Sequence, residues 1–331
     1  MWNALSGPGT LDCEGEPWVN WLGMYLKNSD LLTGENRAYL KEEVRRFWNR
    51  ASCDTEAADS PKFSREYFEE IESFRYVDQA FIHSFAQFTR YHGKKVLEVG
   101  FGAGTDFIQW VRAGAFASGV DLTQEALDNL EHRIKVYELP FPEKIQLADA
   151  ERLPFESNHF DLGYSFGVLM LAPDTEKAIA ELVRVVAPGG EIKIMLYNRH
   201  SIYVLNVWVK HALARGRPWK SLRWALWNHV ESLGTKGYTR GELRQMLSRL
   251  PLREVRVRTE VPTGEYLCAS AFKPLNWFYR GAIRLAGSQA AYPATGYNRE
   301  LIEKHRPAEG KIEFSGNPLG FFHCISARKV A

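Results

Sequence analysis

The feature that most constrains this chain is the stretch Val96-Leu97-Glu98-Val99-Gly100-Phe101-Gly102-Ala103-Gly104-Thr105-Asp106. Its first residues form a short apolar run that reads as a buried strand. Three glycines follow at alternate positions, and Phe107, Ile108, Trp110 and Val111 then predict a helix. Strand, glycine turn and helix make a loop whose backbone a ligand can approach closely, because no Cβ stands in the way. The spacing differs from the dinucleotide fingerprint, whose third glycine falls one position later, where this chain has Thr105. Glu98, two residues before the first glycine, sets an anion at the mouth of the turn. A ligand with a cationic amino group suits that anion better than one with a pyrophosphate.

Further segments follow in order. Ser118-Gly119-Val120-Asp121-Leu122 is a strand ending in an acid, and Leu147-Ala148-Asp149-Ala150-Glu151 precedes Leu153-Pro154-Phe155. Phe160-Asp161-Leu162-Gly163-Tyr164-Ser165-Phe166-Gly167 and Arg184-Val185-Val186-Ala187-Pro188-Gly189-Gly190 complete the set. With these motifs, residues Val96 to Arg199 resemble the class I S-adenosylmethionine (SAM)-dependent methyltransferases. The likeness is to the small-molecule branch, which includes ubiquinone-biosynthesis methyltransferases. A lone glycine motif is weak evidence; five segments in order and at the right spacing are strong.

The resemblance implies an α/β fold with a Rossmann-like seven-stranded sheet, mostly parallel with its last strand antiparallel. A helical N-terminal lid and helical cap insertions accompany it. Residues 1–92 would form the arm and lid, 93–199 the SAM-binding core and 200–238 the cap. Residues 239–331 would complete the core, with an insertion at about 262–318. SAM is the implied cofactor. Gly100, Gly102 and Gly104 would let the backbone pass beneath its methionine part, and Glu98 would accept from its ammonium. Asp121 would take both ribose hydroxyls. Asp149 and the Ala150 backbone would serve the adenine, Leu122 its face, and Ser165 and Phe166 the methionine tail.

Alternating strands and helices predict a parallel sheet covered on both faces, with ligands beyond the carboxyl ends of its strands. Ser64 and Thr123 are predicted helix caps, and Thr239-Arg240-Gly241-Glu242 carries a capping-box pattern. The Ser64 helix is expected to carry Phe68, Ile71, Phe74, Ala80, Phe81 and Phe85 inward. The Pro188-Gly189-Gly190 turn is expected to reverse the chain into a strand over Glu191–Tyr197. Strands are also expected over Glu254–Glu260 and Gly320–Ala327, and a helix around Trp277–Leu285.

In-line methyl displacement draws most of its acceleration from positioning, and needs a base only where the acceptor loses a proton. His200, Tyr197 and His229 are the catalytic candidates, ahead of Tyr203, Glu231, Tyr238 and His323. Tyr67, Tyr76, Tyr203, Trp208 and Tyr238 are expected in the substrate pocket. Many relatives carry a histidine pair after the fourth strand, where this chain has Met170-Leu171. That drier sequence and the Trp-rich cap point to a small acceptor that is largely apolar or aromatic.

Bulk properties narrow the alternatives. The net charge of +2 over 331 residues gives no general reason to expect a polyanionic partner. Arg244, Arg249, Arg253, Arg256 and Arg258 form a basic cluster, so a methyltransferase acting on RNA or another nucleic acid is one rival. A non-catalytic SAM-binding protein is another. Cys13, Cys53, Cys268 and Cys324 include no CxxC pair, so no metal site is expected. No signal-peptide layout opens the chain, and no apolar run approaches roughly 18 residues. The expectation is a cytoplasmic protein with no transmembrane segment. Peripheral membrane contact through the basic, Trp-rich stretch from Arg199 to Gly237 is weighed against a cap role, which is preferred. Oligomeric state and acceptor atom are left open.

Overall fold

The computed structural model describes residues 34–262 and 311–330, with Trp277, Gly281 and Leu285 between them. Cys13, Cys268, the arm before residue 34 and most of the expected insertion lie outside the described residues. Trp277, Gly281 and Leu285 themselves have helical backbone.

The sheet is built on β1 (Lys95–Val99), β2 (Phe116–Asp121), β3 (Lys144–Leu147), β4 (Phe160–Phe166) and β5 (Val186–Asn198). These five are parallel in the order β3-β2-β1-β4-β5. Chain order reverses between β1 and β4, which opens a crevice at their carboxyl ends. Past β5 lie β9 (Phe322–Lys329) and β7 (Leu252–Glu260), each antiparallel to its neighbour on that path. Two short strands add to the expected seven. β8 (Glu313–Gly316) extends the edge beside β7, and β6 (Gly237–Tyr238) pairs with Tyr197 and Asn198 of β5.

Helices cover the sheet. They are α1 (Gly34–Trp48), α2 (Arg65–Asp78), α3 (Phe81–Ala86), α4 (Phe107–Arg112), α5 (Gln124–Val136) and α6 (Thr175–Val185). Then come α7 (Ile202–His211), α8 (Leu222–His229) and α9 (Arg240–Leu247). Local chemistry fixes several starts: the side chains of Ser64, Thr123, Asp174, Ser201 and Ser221 each accept a hydrogen bond from a backbone N–H in the first turn. Between the layers, Leu97, Leu162 and Ile194 from the sheet and Leu130, Ile179 and Leu182 from the helices are fully buried. Each such side chain contributes roughly 1.5–3 kcal/mol by leaving water.

Two local expectations change. The Ser64-capped helix stops at Asp78 and resumes at Phe81, because Asp78 and Gln79 turn into the interior and the backbone leaves the helical region at Gln79. The Pro188-Gly189-Gly190 segment does not precede the fifth strand but bulges within it. Phe160 pairs with Val186 and Leu162 with Glu191, so the intervening residues loop out, helped by φ of 78° at Gly189.

Candidate active site

A cavity of about 570 Å³ opens at the carboxyl ends of the central strands. Its floor is the glycine turn. Gly100 has φ of 80°, and a Cβ there would lie 2.3 Å from Val168 Cγ2, so only glycine lets the turn pass. Gly102 (φ 52°) donates its N–H to Asp121 Oδ2 at 3.0 Å. Gly104, by contrast, is off the cavity wall. A Cβ there would meet Leu130 at 2.8 Å, so its role is to let the turn pack against α5.

Four acids approach this floor in different electrostatic states. Asp106 is buried and forked by the Arg75 guanidinium, with Nε at 2.9 Å from Oδ1 and Nη2 at 2.6 Å from Oδ2. Tyr164 and Tyr76 also donate to it, at 2.8 and 3.1 Å. Burial opposes its charge, but Arg75 and these hydroxyls outweigh burial and hold its pKa below the usual carboxylate value. Glu98 is buried too and accepts from Trp110 Nε1 at 2.8 Å. Among the described residues it has no cation bound to it, and burial and the Asp106 charge push its pKa well above the usual range. Asp121 ends β2. Its Oδ1 accepts from both N and Oγ1 of Thr123 and its Oδ2 from Gly102, so both oxygens are already engaged by the turn. Asp149 is already met by the Lys41 ammonium of α1, which also reaches Glu151 at 3.1 Å.

Glu98, Gly100, Gly102, Asp121, Leu122, Asp149, Ala150 and Phe166 all line the cavity. Ser165 does not: it is fully buried and donates to the Val99 carbonyl at 2.7 Å, tying β4 to β1.

The upper wall departs further from the sequence reading. Tyr67, Tyr76, Tyr203, Trp208 and Tyr238 all lie off it. Tyr67 bonds Asn129 at 3.2 Å between α2 and α5. Tyr76 is held by Asp106. Tyr203 packs on Phe321 with centroids 4.6 Å apart, and Trp208 Nε1 donates to the Lys220 carbonyl inside the cap. Tyr238 lies in β6, paired with Asn198. The residues that do line the upper wall include Phe47 and Trp48 of α1, Phe74 of α2, Leu171 beyond β4 and Phe322 of β9.

The catalytic candidates separate as well. His200 is exposed and off the wall, because the chain turns outward after Asn198, whose Oδ1 accepts the His200 N–H at 3.0 Å. His229 lines the cavity, stacked on His211 with centroids 4.1 Å apart. Burial, then Arg215 and Lys210, lower its pKa to about 4, which makes it a weak base. Tyr197 lines the cavity and donates to Glu231 Oε1 at 2.5 Å. Glu231 Oε2 is buried with no hydrogen-bond partner among the described residues. Burial and the Asp54 charge, against the Tyr197 bond, push the Glu231 pKa up to about 7. Glu231 also has φ of 55°, a conformation rare outside glycine and frequent where function holds strain. The sequence had offered Glu231 only as a secondary base candidate, behind His200, Tyr197 and His229. Its contact with Tyr197 crosses 34 residues and left no local signal.

The basic cluster on α9 and β7 is largely engaged. Arg249 pairs with Glu176, Arg256 with Glu313 and Arg258 with Glu260, while Arg244 stacks on Phe314. Among the described residues, no helix is long and apolar enough to cross a membrane.

The chain is similar to several known proteins over part of its length. A family described as a methyltransferase domain matches residues 97–194. A malonyl-[acyl-carrier protein] O-methyltransferase from Erwinia billingiae is 32% identical over 118 residues, covering 36% of this chain and 45% of that one. Methyltransferase GfsG from Streptomyces halstedii is 31% identical over 104 residues, 31% of this chain and 37% of its own. The chain thus spans less than half the length of these curated relatives. A solved geranyl diphosphate C-methyltransferase from Streptomyces coelicolor A3(2), crystallised with Mg2+, geranyl diphosphate and S-adenosyl-L-homocysteine, aligns over 88% of this chain and 98% of its own. Its TM-score is 0.49, at 16% identity.

Proposed function

We propose that the chain is an enzyme that moves a methyl group from SAM to a small, largely apolar or aromatic acceptor whose attacking atom carries a proton. One observation carries the reading: the cavity joins a floor of glycine turn and carboxylates to apolar and aromatic side chains that include Phe47, Trp48, Phe74, Leu171 and Phe322. Its volume, about 570 Å³, falls within the usual range for small-molecule sites.

The residues present fit SAM. Glu98 is a buried carboxyl group with no ion pair among the described residues, and the ammonium of SAM would favour its ionised form. Asp121 lines the cavity where it would meet a ribose hydroxyl, and Leu122 and Ala150 would flank the adenine. SAM when bound supplies a methyl group already activated by a positive sulfur. The chain's own work is to orient the acceptor, exclude water and receive a proton.

Glu231 is suited to that last task. With a pKa of about 7 it is substantially ionised at neutral pH yet basic enough to accept a proton as the acceptor's electron pair is committed to the methyl carbon. Tyr197 fixes Oε1, and Oε2 is a buried oxygen with no hydrogen-bond partner among the described residues. Neither His200 nor His229 matches this combination of placement and basicity.

The test is a panel of hydrophobic phenols and alcohols incubated with SAM, with S-adenosylhomocysteine release measured by mass spectrometry. Turnover on such acceptors is expected, and Glu231→Gln should lower kcat by about 10²–10⁴-fold while leaving cofactor affinity unchanged. Turnover of polar metabolites alone would overturn the acceptor class, and unchanged kcat in Glu231→Gln would remove Glu231 as the base.

A further inference from the structure

The cap carries a feature that methyl transfer does not use. From Ile192 to Val230 the chain contains no Asp or Glu, while Lys210, Arg215, Arg217 and Lys220 crowd the end of α7 and the turn that leads to α8. Two large apolar side chains stand out from this turn, Leu213 at 48% and Trp219 at 72% exposure, with Leu205 of α7 at 38%. Lys210 and Arg215 are exposed alongside them. The helices behind this tip are anchored: Ala212, Trp224, Ala225 and Leu226 are buried, and Trp208 Nε1 bonds the Lys220 carbonyl across the turn. Among the described residues, a packed support therefore presents an indole, a leucine and the cations of Lys210 and Arg215 to solvent.

We infer that the turn between α7 and α8 docks on a bilayer containing anionic lipid, with Trp219 and Leu213 entering the interfacial region and Lys210 and Arg215 facing the headgroups. The composition argues for this partner. An indole is favoured at the boundary between headgroup and acyl chain, and apolar insertion combined with a basic patch gives the two signals that stable peripheral binding needs. Each basic residue near an anionic surface raises partitioning roughly fivefold. A nucleic acid would also attract the cations, and an exposed indole could stack on a base. It would leave Leu213 and Leu205 in water, whereas a bilayer takes them up.

The same cap reaches the cavity, since His211, Asn228 and His229 line it. If the acceptor is apolar, as proposed above, docking would bring the cavity to the phase in which such a molecule concentrates. The docking surface itself does not depend on that reading.

Sedimentation of the full-length chain with vesicles tests the inference. Phosphatidylcholine vesicles containing a quarter phosphatidylglycerol should carry the protein down, and pure phosphatidylcholine should carry little. Changing Leu213 and Trp219 together to Ser should cut binding about tenfold or more, and Lys210→Gln roughly fivefold. S-adenosylhomocysteine affinity, measured by calorimetry, should be unchanged in these variants, which shows that they are folded and keeps this test apart from that of the active site. The inference is overturned if the wild-type chain ignores anionic vesicles, if the variants bind as well as wild type, or if the chain binds duplex DNA in preference to vesicles.

Discussion

Glu98 and Asp106 stand on either side of one glycine turn, and their neighbours give them opposite electrostatic fates. Arg75 arrives from α2 to neutralise Asp106, and among the described residues no cation forms an ion pair with Glu98. Burial and the Asp106 charge hold the Glu98 pKa well above its ordinary value of 4.5. Glu98 must ionise to receive an ammonium, so cofactor binding should release a proton, and affinity should fall as pH is lowered. Calorimetry of S-adenosylhomocysteine in buffers of different ionisation enthalpy measures that release, which Glu98→Gln should abolish; equal apparent enthalpies in all buffers for the wild type would contradict it. Glu98 was legible in the sequence because it lies two residues from the glycines. Its imbalance was not, because the guanidinium that decides it comes from Arg75, 31 residues before Asp106. Tyr67 and Tyr203 misled for a related reason: an aromatic residue on a lid or cap helix looks alike in sequence whether it faces the cavity or packs against Asn129 or Phe321.

At the scale of elements, α9 shows what local chemistry determines. Its capping box closes with Glu242 N donating to Thr239 Oγ1 at 3.2 Å and Thr239 N donating to Glu242 Oε2 at 2.8 Å. Thr239→Ala should cost about 1 kcal/mol of stability, visible as a lower Tm in calorimetry; an unchanged Tm would mean the box contributes nothing. Caps and the glycine turn were readable because each depends on residues within a few positions. The added roles of these elements were not. Glu242 also binds Arg199 at 2.8 Å and Arg223 at 3.0 Å, so one helix start pins the end of β5 and the cap together. Similarly, nothing local in α1 shows its reach onto the rim through Lys41 to Asp149 and Arg37 to Asp174. The Pro-Gly-Gly bulge was misjudged because a turn motif looks the same whether it precedes a strand or interrupts one.

Across the whole molecule, stability and activity meet at Glu231. Its folded pKa of about 7 exceeds the ordinary 4.5, so between those values the folded chain binds more protons than the unfolded one. Stability therefore falls as pH rises through that window. Glu231→Gln should flatten this decline, and its Tm should exceed that of wild type at pH 8; a parallel decline in both would show that the charge is not strained. The larger architecture serves the same end. A parallel sheet brings Glu98, Asp121 and the glycine turn to one rim, and α1, α2 and the cap enclose the space above them. The central claim is that SAM lies across that rim, held in part by Asp121. Isothermal titration of S-adenosylhomocysteine into wild type and Asp121→Ala tests it most directly. The account predicts one site in the wild type, and a loss of about 1.5–3 kcal/mol in the variant, the scale of one hydrogen bond to a charged group. Wild type that gives no binding, or a variant that binds equally well, would contradict it.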